Sequence, residues 1–288
     1  MTVLSDITVA LFVPGDRPER FVKAASTDAD GIIIDLEDAV AANGKDQARA
    51  ALKRDFTDKP VLVRVNGIGT PWHERDIAAL RRLAFSAVVL PKAEFSLEFQ
   101  ALCAELDVPV VALIESARGL ADARRIATTR NVARIAFGSI DFSADLGCAH
   151  TREALLLARS ELVVASRLAG LPPPIDGVTT AIDDAPLIAS DARHARNLGF
   201  SGKLGIHPRQ VTAIQMGFAP DEDEVVWARK IMASGDGAVA IDGAMVDEPV
   251  RIRARSILKR VQSAPAAAFD TSSGRLSKRF RHEDLGAR

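Results

Sequence analysis

Pro109-Val110-Val111-Ala112-Leu113-Ile114-Glu115-Ser116 is a run of five apolar residues behind a proline, closed by a carboxylate and a hydroxyl. A short, continuous apolar run of this kind reads as a strand buried on both faces, which is the mark of a parallel sheet. The same unit recurs outward in both directions. Thr8–Val13, Gly31–Leu36, Val61–Val65 and Ala87–Leu90 precede it, and Val132–Phe137, Ile175–Val178 and Lys203–Ile206 follow. Helical segments fill the intervals: Glu19–Ser26, Lys45–Lys53, Glu74–Leu83, Ser96–Glu105, Gly119–Thr128, Glu153–Ala169 and Pro186–Leu198. Thr70-Pro71, Ser116 and Asp184 stand where helices begin, and Gly170 and Gly199 where they end. Eight strands alternating with helices predict an α/β chain folded as a (β/α)8 barrel over residues 1–217.

A second rhythm points to chemistry. Polar residues close the strands at Asp35, Arg64, Lys92, Glu115, Asp141, Asp176 and His207, with gaps of 29, 28, 23, 26, 35 and 31 residues. Each gap is one strand–helix unit. In such a barrel the C-terminal strand ends open on one face, where the chemistry sits. Glu115 and Asp141 follow consecutive strands, so two carboxylates at neighbouring ends are placed to share a cation. Two carboxylates with water and substrate oxygens is how Mg²⁺ is ordinarily bound. The plainer alternative is that each caps the helix after it. Asp35, Glu37 and Asp38 repel one another unless a cation intervenes, and Arg64 is the expected countercharge. Arg64 suits a substrate carboxylate as well as a structural ion-pair network. Lys92, near several acids, is expected to stay charged and to give electrostatic support rather than form a Schiff base. Arg17, Arg20 and Lys23 crowd the first turn, as a phosphate contact or a solvated helix start. His207 reads as a backbone-bonding residue. Ser139 and Ser143 show no adjacent His–Asp pattern, which argues against a serine hydrolase.

Composition excludes other classes. The chain has 288 residues, 48% hydrophobic and 26% charged, with 37 Lys+Arg against 38 Asp+Glu. That balance argues against a nucleic-acid partner. Two cysteines, Cys103 and Cys148, form no disulfide framework and suggest a reducing, cytoplasmic setting. No apolar run reaches a membrane span, and residues 1–6 lack the pattern of a signal peptide. No GxxxxGK[ST] or GxGxxG follows a strand, so nucleotide hydrolysis and Rossmann cofactor binding are not expected. After the eighth strand come two helical stretches, Pro208–Gly217 and Glu222–Ser234. A hairpin around Asp242-Gly243 and a last helix over Pro249–Val261 follow. Residues 218–263 are read as a lid segment and 264–288 as a mobile tail.

Seven motifs stand in order along the chain. They are Leu11-Phe12-Val13-Pro14-Gly15-Asp16-Arg17, Asp35-Leu36-Glu37-Asp38-Ala39-Val40, Val63-Arg64-Val65-Asn66, Leu90-Pro91-Lys92, Ile114-Glu115-Ser116, Phe137-Gly138-Ser139-Ile140-Asp141-Phe142 and Gly205-Ile206-His207-Pro208. As an ordered set they resemble the citrate lyase β-subunit-like family, with the malyl-CoA and citramalyl-CoA lyases, in the HpcH/HpaI aldolase superfamily. The resemblance runs from about Leu11 to Asp247. It implies a barrel of the phosphoenolpyruvate/pyruvate type, a Mg²⁺ cofactor, an acyl-CoA substrate and a homo-oligomer, trimeric or hexameric. By position, Glu115 and Asp141 take the metal-ligand roles and Arg64 holds the keto-acid carboxylate. Arg17, Asp35, Glu37 and Lys92 line the substrate site. Gly243-Ala244-Met245-Val246-Asp247 matches a Met-Ile-Asp-like lid motif with Val246 for isoleucine. Asp247, over a neighbour's site, is the implied acid/base. The implied activity is cleavage or formation of a 3-hydroxyacyl-CoA such as malyl-, citramalyl- or citryl-CoA. The rivals are a citrate lyase subunit acting on a citryl-acyl-carrier protein, a pyruvate aldolase indifferent to CoA, and an idle metal- and CoA-binding homologue.

Overall fold

In the computed structural model, which describes residues 2–241 and 243–263, the eight apolar runs close into one parallel barrel. The strands are β1 (Val9–Pro14), β2 (Gly31–Asp35), β3 (Val61–Arg64), β4 (Ala87–Leu90), β5 (Val110–Ile114), β6 (Val132–Phe137), β7 (Ile175–Asp176) and β8 (Gly202–Gly205). Each pairs with the next in sequence, and β8 returns to β1. Helices precede and separate them: α1 (Thr2–Ser5), α2 (Phe21–Ala25), α3 (Lys45–Ala50), α4 (His73–Leu80), α5 (Leu97–Glu105), α6 (Ala117–Ala121), α7 (Ala123–Ala127), α8 (Ser139–Leu146), α9 (Leu156–Leu168), α10 (Ala185–Leu198) and α11 (Val211–Phe218). Ser116 and Asp184 cap α6 and α10 through their side chains, as their positions in the sequence imply.

The helices depart from the expectation in three places, the first being α1, which the sequence reading did not include. The stretch read as one helix over Gly119–Thr128 is two short ones, broken at Asp122. Helix α8 has no counterpart in the sequence reading. Its apolar residues Ile140, Phe142, Ala144 and Leu146 alternate like a strand, while the helical spacing of its buried face is carried by Ser139, Phe142 and Ser143.

Period-two alternation sorts the strand side chains into two layers. Ala10, Ile33, Leu62, Ala87, Val89, Val111, Leu113, Ala136, Ile175 and Leu204 fill the barrel, and Leu4 and Ile7 plug its N-terminal end. Val9, Leu11, Ile32, Ile34, Val63, Val88, Ala112, Ile114 and Ile135 point outward against the helices.

Arg134 lies two residues before Ala136, on the inward face, and is fully buried at the plugged end. Its guanidinium donates to the carbonyls of Leu4, Ile7 (2.9 Å) and Pro173 (3.0 Å), and to Ser201 Oγ (2.9 Å). Burial lowers its pKa to about 10, opposed by Asp6 and Asp30, so it remains charged at neutral pH. One cation thus fastens the N-terminal segment and the β6–β7 connection to the barrel floor.

The chain divides into two compact units, Met1–Phe218 and the residues from Ala219 onward. In the second, α12 (Glu222–Ala233) opens on a capping box between Asp221 and Glu224. The antiparallel strands β9 (Val239–Ile241) and β10 (Ala244–Val246) follow, then α13 (Glu248–Ser263). Ala228, Ile231, Val246, Ala254 and Ile257 form its small core. Asp242, at the expected hairpin turn, and the expected tail lie outside the described residues. Among the described residues no helix is long and apolar enough to cross a membrane.

Arg134→Met removes the donors for the buried carbonyls of Leu4 and Ile7 and one of two donors to Pro173 O. With each unsatisfied group costing about 1–3 kcal/mol, urea unfolding is expected to show a loss of several kcal/mol. A midpoint unchanged from wild type would show that the floor holds without this cation.

Candidate active site

Residues Asp35, Arg64 and Glu115 each lie two positions beyond an inward apolar residue, Ile33, Leu62 and Leu113 respectively. The alternation that fills the barrel therefore turns these polar side chains into its C-terminal mouth. The site begins as a continuation of the core pattern.

Arg64 is the hub. Its Nε donates to Asp35 Oδ1 at 2.7 Å and its Nη2 to Asp35 Oδ2 at 2.6 Å. Nη1 lies 3.2 Å from both Glu37 Oε2 and Asp38 Oδ2, and the guanidinium rests 4.8 Å from the Phe12 ring centroid. Burial disfavours the charged guanidinium, but the bonds and charge of Asp35, with Glu37 and Asp38, outweigh it and hold the pKa above its ordinary value. Asp35 also accepts the N–H groups of Glu37 (2.9 Å) and Ala39 (3.0 Å), so both its oxygens are engaged within the chain. It sets the turn and aims Arg64.

That turn has support that the sequence reading missed. Lys45 Nζ donates to the carbonyls of Leu36 (2.8 Å) and Glu37 (2.7 Å), and Asn66 Nδ2 donates to Leu36 O at 2.9 Å. Burial lowers the Lys45 pKa, with Asp35, Glu37 and Asp76 pulling the other way. A lysine at the start of a helix carries no local sign that it will be buried under a loop. Only its position in the fold reveals it.

Glu115 is 3% exposed. Its Oε1 accepts the Lys92 backbone N–H at 2.7 Å, while its Oε2 is buried with no hydrogen-bond partner. Burial, then the negative charges of Glu37 and Asp141, raises its pKa to about 8. Burial also raises the Glu37 pKa against the pull of Arg64 and Lys92. Lys92 Nζ reaches Glu37 Oε1 at 2.8 Å. Burial lowers the Lys92 pKa, but Glu37, Glu115 and Asp38 outweigh it and raise the value overall. It stays an ammonium, as expected.

Asp141 is not at a strand end. β6 stops at Phe137, Gly138 makes the turn, and Asp141 lies in the first turn of α8, half-buried. The helix still brings its charge within reach of Glu115. Gly138 makes the approach possible, because a Cβ there would lie 2.4 Å from Glu115 Oε2. Among the described residues, no three His, Cys, Asp or Glu side chains gather into a metal-holding group. A pair of carboxylates with one buried, unbonded oxygen suits an ion that takes the rest of its shell from water and substrate, as Mg²⁺ does.

The remaining expected residues fall elsewhere. Asp176 does not join the mouth acids. Ile175 faces the barrel interior, so Asp176 faces the helices. There it pairs with Arg159 of α9 (2.8 Å) and Lys203 of β8 (2.9 Å) in a buried triad. His207 accepts the Arg209 N–H at 3.2 Å, a local cap. Arg17, Arg20 and Lys23 are exposed around the first turn. Asp247 belongs to the second unit, half-buried, with its Oδ1 3.4 Å from the N–H of Val250 at the start of α13. Ser139 does meet a histidine: His150 Nε2 lies 2.9 Å from its Oγ. Sequence spacing hid this because His150 arrives on the loop after α8. Ser139 is 1% exposed, and the bond fastens the helix that carries Asp141.

A match to the model of the HpcH/HpaI aldolase/citrate lyase family extends over residues 8–208, which is the barrel. The chain belongs to this family. It is by that membership a carbon–carbon lyase. A citrate lyase subunit beta-like protein of Mycobacterium tuberculosis is 37% identical over 272 residues, covering 88% of this chain and 95% of that one. A (3S)-malyl-CoA thioesterase of Cereibacter sphaeroides is 31% identical over 277 residues, covering 91% and 96%. The crystal structure of protein CitE from M. tuberculosis, in complex with magnesium, acetoacetate and coenzyme A, superposes with a TM-score of 0.81 at 36% identity. It covers 90% of this chain and 99% of that one.

The raised pKa of Glu115 sets a pH dependence for this family member. The folded chain keeps the proton up to about pH 8, whereas an ordinary glutamate releases it near 4.5. The folded state therefore binds more protons across that window, and its stability falls as pH rises through it, by up to ~1.4 kcal/mol per pH unit. Unfolding in urea with a chelator present, from pH 5 to 8, is expected to show this fall, and Glu115→Gln to flatten it. An equal slope in the variant would refute the assignment.

Proposed function

We propose that this chain cleaves, or forms, the carbon–carbon bond of a 3-hydroxyacyl-CoA thioester with Mg²⁺ as its metal. The observation that carries the proposal is the buried Glu115 Oε2, unbonded and beside Asp141. The magnesium and coenzyme A held by the similar CitE structure support the same reading. Mg²⁺ on Glu115 and Asp141 would act as a Lewis acid toward the substrate's hydroxyl and carboxylate oxygens.

The chain's own groups do the rest. Arg64, with its Nε–Nη2 edge committed to Asp35 and its Nη1 shared by Glu37 and Asp38, would attract the substrate carboxylate once Nη1 turns from exposed Asp38, and Lys92 stands beside it. Arg17, with Arg20 and Lys23, meets the phosphates of CoA at the first turn. In cleavage the substrate hydroxyl gives up its proton to solvent as the C–C bond breaks and the 2-oxo group forms. Asp247 of a neighbouring copy in a homo-oligomer, a trimer or hexamer, delivers a proton to the α-carbon of the thioester enolate. It removes that proton in condensation. The products of cleavage are an acyl-CoA and a 2-oxo acid. Both cysteines are free, in keeping with a reducing cytoplasmic setting.

A second reading has an observation behind it. The malyl-CoA thioesterase likeness favours a malyl thioester that is hydrolysed rather than split. A panel of malyl-, citramalyl- and citryl-CoA with Mg²⁺ separates the two. Lysis gives acyl-CoA and a 2-oxo acid, whereas hydrolysis gives free CoA thiol. Release of neither from any member would refute both.

Asp247→Ala is expected to lower turnover by about 10²–10⁴-fold, the usual worth of acid/base assistance, with Mg²⁺ affinity kept. Full activity would remove Asp247 from the mechanism. Gly138→Ala, which pushes a methyl group into Glu115 Oε2, is expected to weaken Mg²⁺ binding in a calorimetric titration. Unchanged affinity would place the metal elsewhere.

A further inference from the structure

The link from β4 to Glu115 contains an irregularity that the proposed reaction has not used. Val88 N donates to Pro109 O at 2.9 Å, and Ala93 N donates to Leu113 O at 3.1 Å. The two donors are five residues apart on one chain and the two acceptors four apart on the other. One extra residue has been taken up on the β4 side, which is the definition of a bulge. Lys92 carries the matching backbone conformation. Its φ is +49°, and it is one of two non-glycine residues with positive φ among the described residues. That region is disfavoured for any side chain with a Cβ.

The bulge frees one N–H from the ladder and turns it inward. The Lys92 N–H donates to Glu115 Oε1 at 2.7 Å rather than to a strand carbonyl. The same residue's Nζ donates to Glu37 Oε1 at 2.8 Å. Both carboxylates are thereby gripped by one oxygen; the other oxygen of Glu37 faces Arg64 Nη1 at 3.2 Å, whereas Glu115 Oε2 is buried without a hydrogen-bond partner. A carboxylate with one oxygen fixed by a backbone donor has a defined orientation for the second.

We propose that Lys92 is a positioning residue whose left-handed bulge, through its main-chain N–H, fixes Glu115 with Oε2 presented to the mouth. The proposal rests on the reading of Glu115 as a metal ligand, and it concerns the backbone of residue 92 before its charge. The side chain has a separate task, the grip on Glu37 at the substrate side.

Three substitutions separate these roles. Lys92→Met removes the charge and leaves the backbone preference much as it was. Lys92→Gly removes the charge and favours positive φ. Lys92→Val removes the charge and strongly disfavours positive φ. The probe is Mg²⁺ alone, titrated calorimetrically into the full chain. Expected are dissociation constants within about threefold of wild type for Met and Gly, and at least tenfold weaker binding for Val (about 1.4 kcal/mol). KM for the thioester is expected to rise in all three. Equal affinity in Val and Gly would overturn the proposal.

Should the valine variant fail to fold, amide exchange at residue 92 gives the answer without it. The amide is expected to be protected in the metal-free wild type and to lose that protection in Glu115→Ala. Fast exchange in the wild type would overturn the proposal. A wild-type chain that binds no Mg²⁺ yet protects amide 92 would sink the metal reading alone.

Discussion

Like charges crowded into a low-dielectric space repel, and the mouth of this barrel is organised around that repulsion. Asp35, Glu37, Glu115 and Asp141 gather there, with Arg64 and Lys92 paired to Asp35 and Glu37 and the ammonium of Lys45 beneath their loop. Arg64 neutralises the Asp35 side of the group so fully that Asp35 has no bonding capacity left. Lys92, half exposed, does less for the Glu37 side. The imbalance falls on Glu115, which the folded, metal-free chain holds as a neutral acid near pH 7. A divalent ion would complete the charge of the cluster and give Oε2 a partner. The chemistry proposed for the site follows from an electrostatic deficit that the fold leaves uncompensated.

The rest of the barrel supplies rigidity at the points where that deficit must be held. Inward-facing apolar residues fill the interior beneath the mouth, so the polar rim stands on a packed floor rather than on a channel. The opposite end is closed by a buried cation of another kind. Arg134 is satisfied mainly by backbone carbonyls, whose partial charges bind a guanidinium without bringing further ions into the interior. Between wall and helices, the Asp176, Arg159 and Lys203 triad ties β7, β8 and α9 together. Its three members are buried, so removal of one would leave the others uncompensated. The two ion clusters lie on opposite faces of the same wall and do different work.

Local backbone geometry refines what the charges begin. Gly138 allows the β6–α8 turn to pass against Glu115, and Ser139, held by His150, starts the helix that carries Asp141. Lys92 leaves the β4 ladder by one residue and turns its N–H on the other oxygen of the same carboxylate. Glu115 is thus bounded on one side by a glycine that makes room and on the other by a bulge that supplies a donor. Gly138 acts by lacking a side chain and Lys92 by its main-chain N–H, so neither device depends on side-chain charge.

The sequence by itself determined the barrel, its strand order and most of its rim. Each of those is written in short-range pattern: continuous apolar runs for parallel strands, a period of two along each strand, and a polar residue at or just after the end of several runs. That is why Asp35, Arg64, Lys92 and Glu115 could be read as one group before any coordinates. Tertiary structure alone decided which face of the wall Asp176 occupies, because a one-residue change in strand phase reverses the side a residue points to. It also decided that α8 exists, since serines rather than apolar residues carry its buried stripe. Lys45 and His150 belong to the supporting layer for the same reason. Their partners lie on other segments of the chain, and a burial or a hydrogen bond that spans separate loops has no signature in either one.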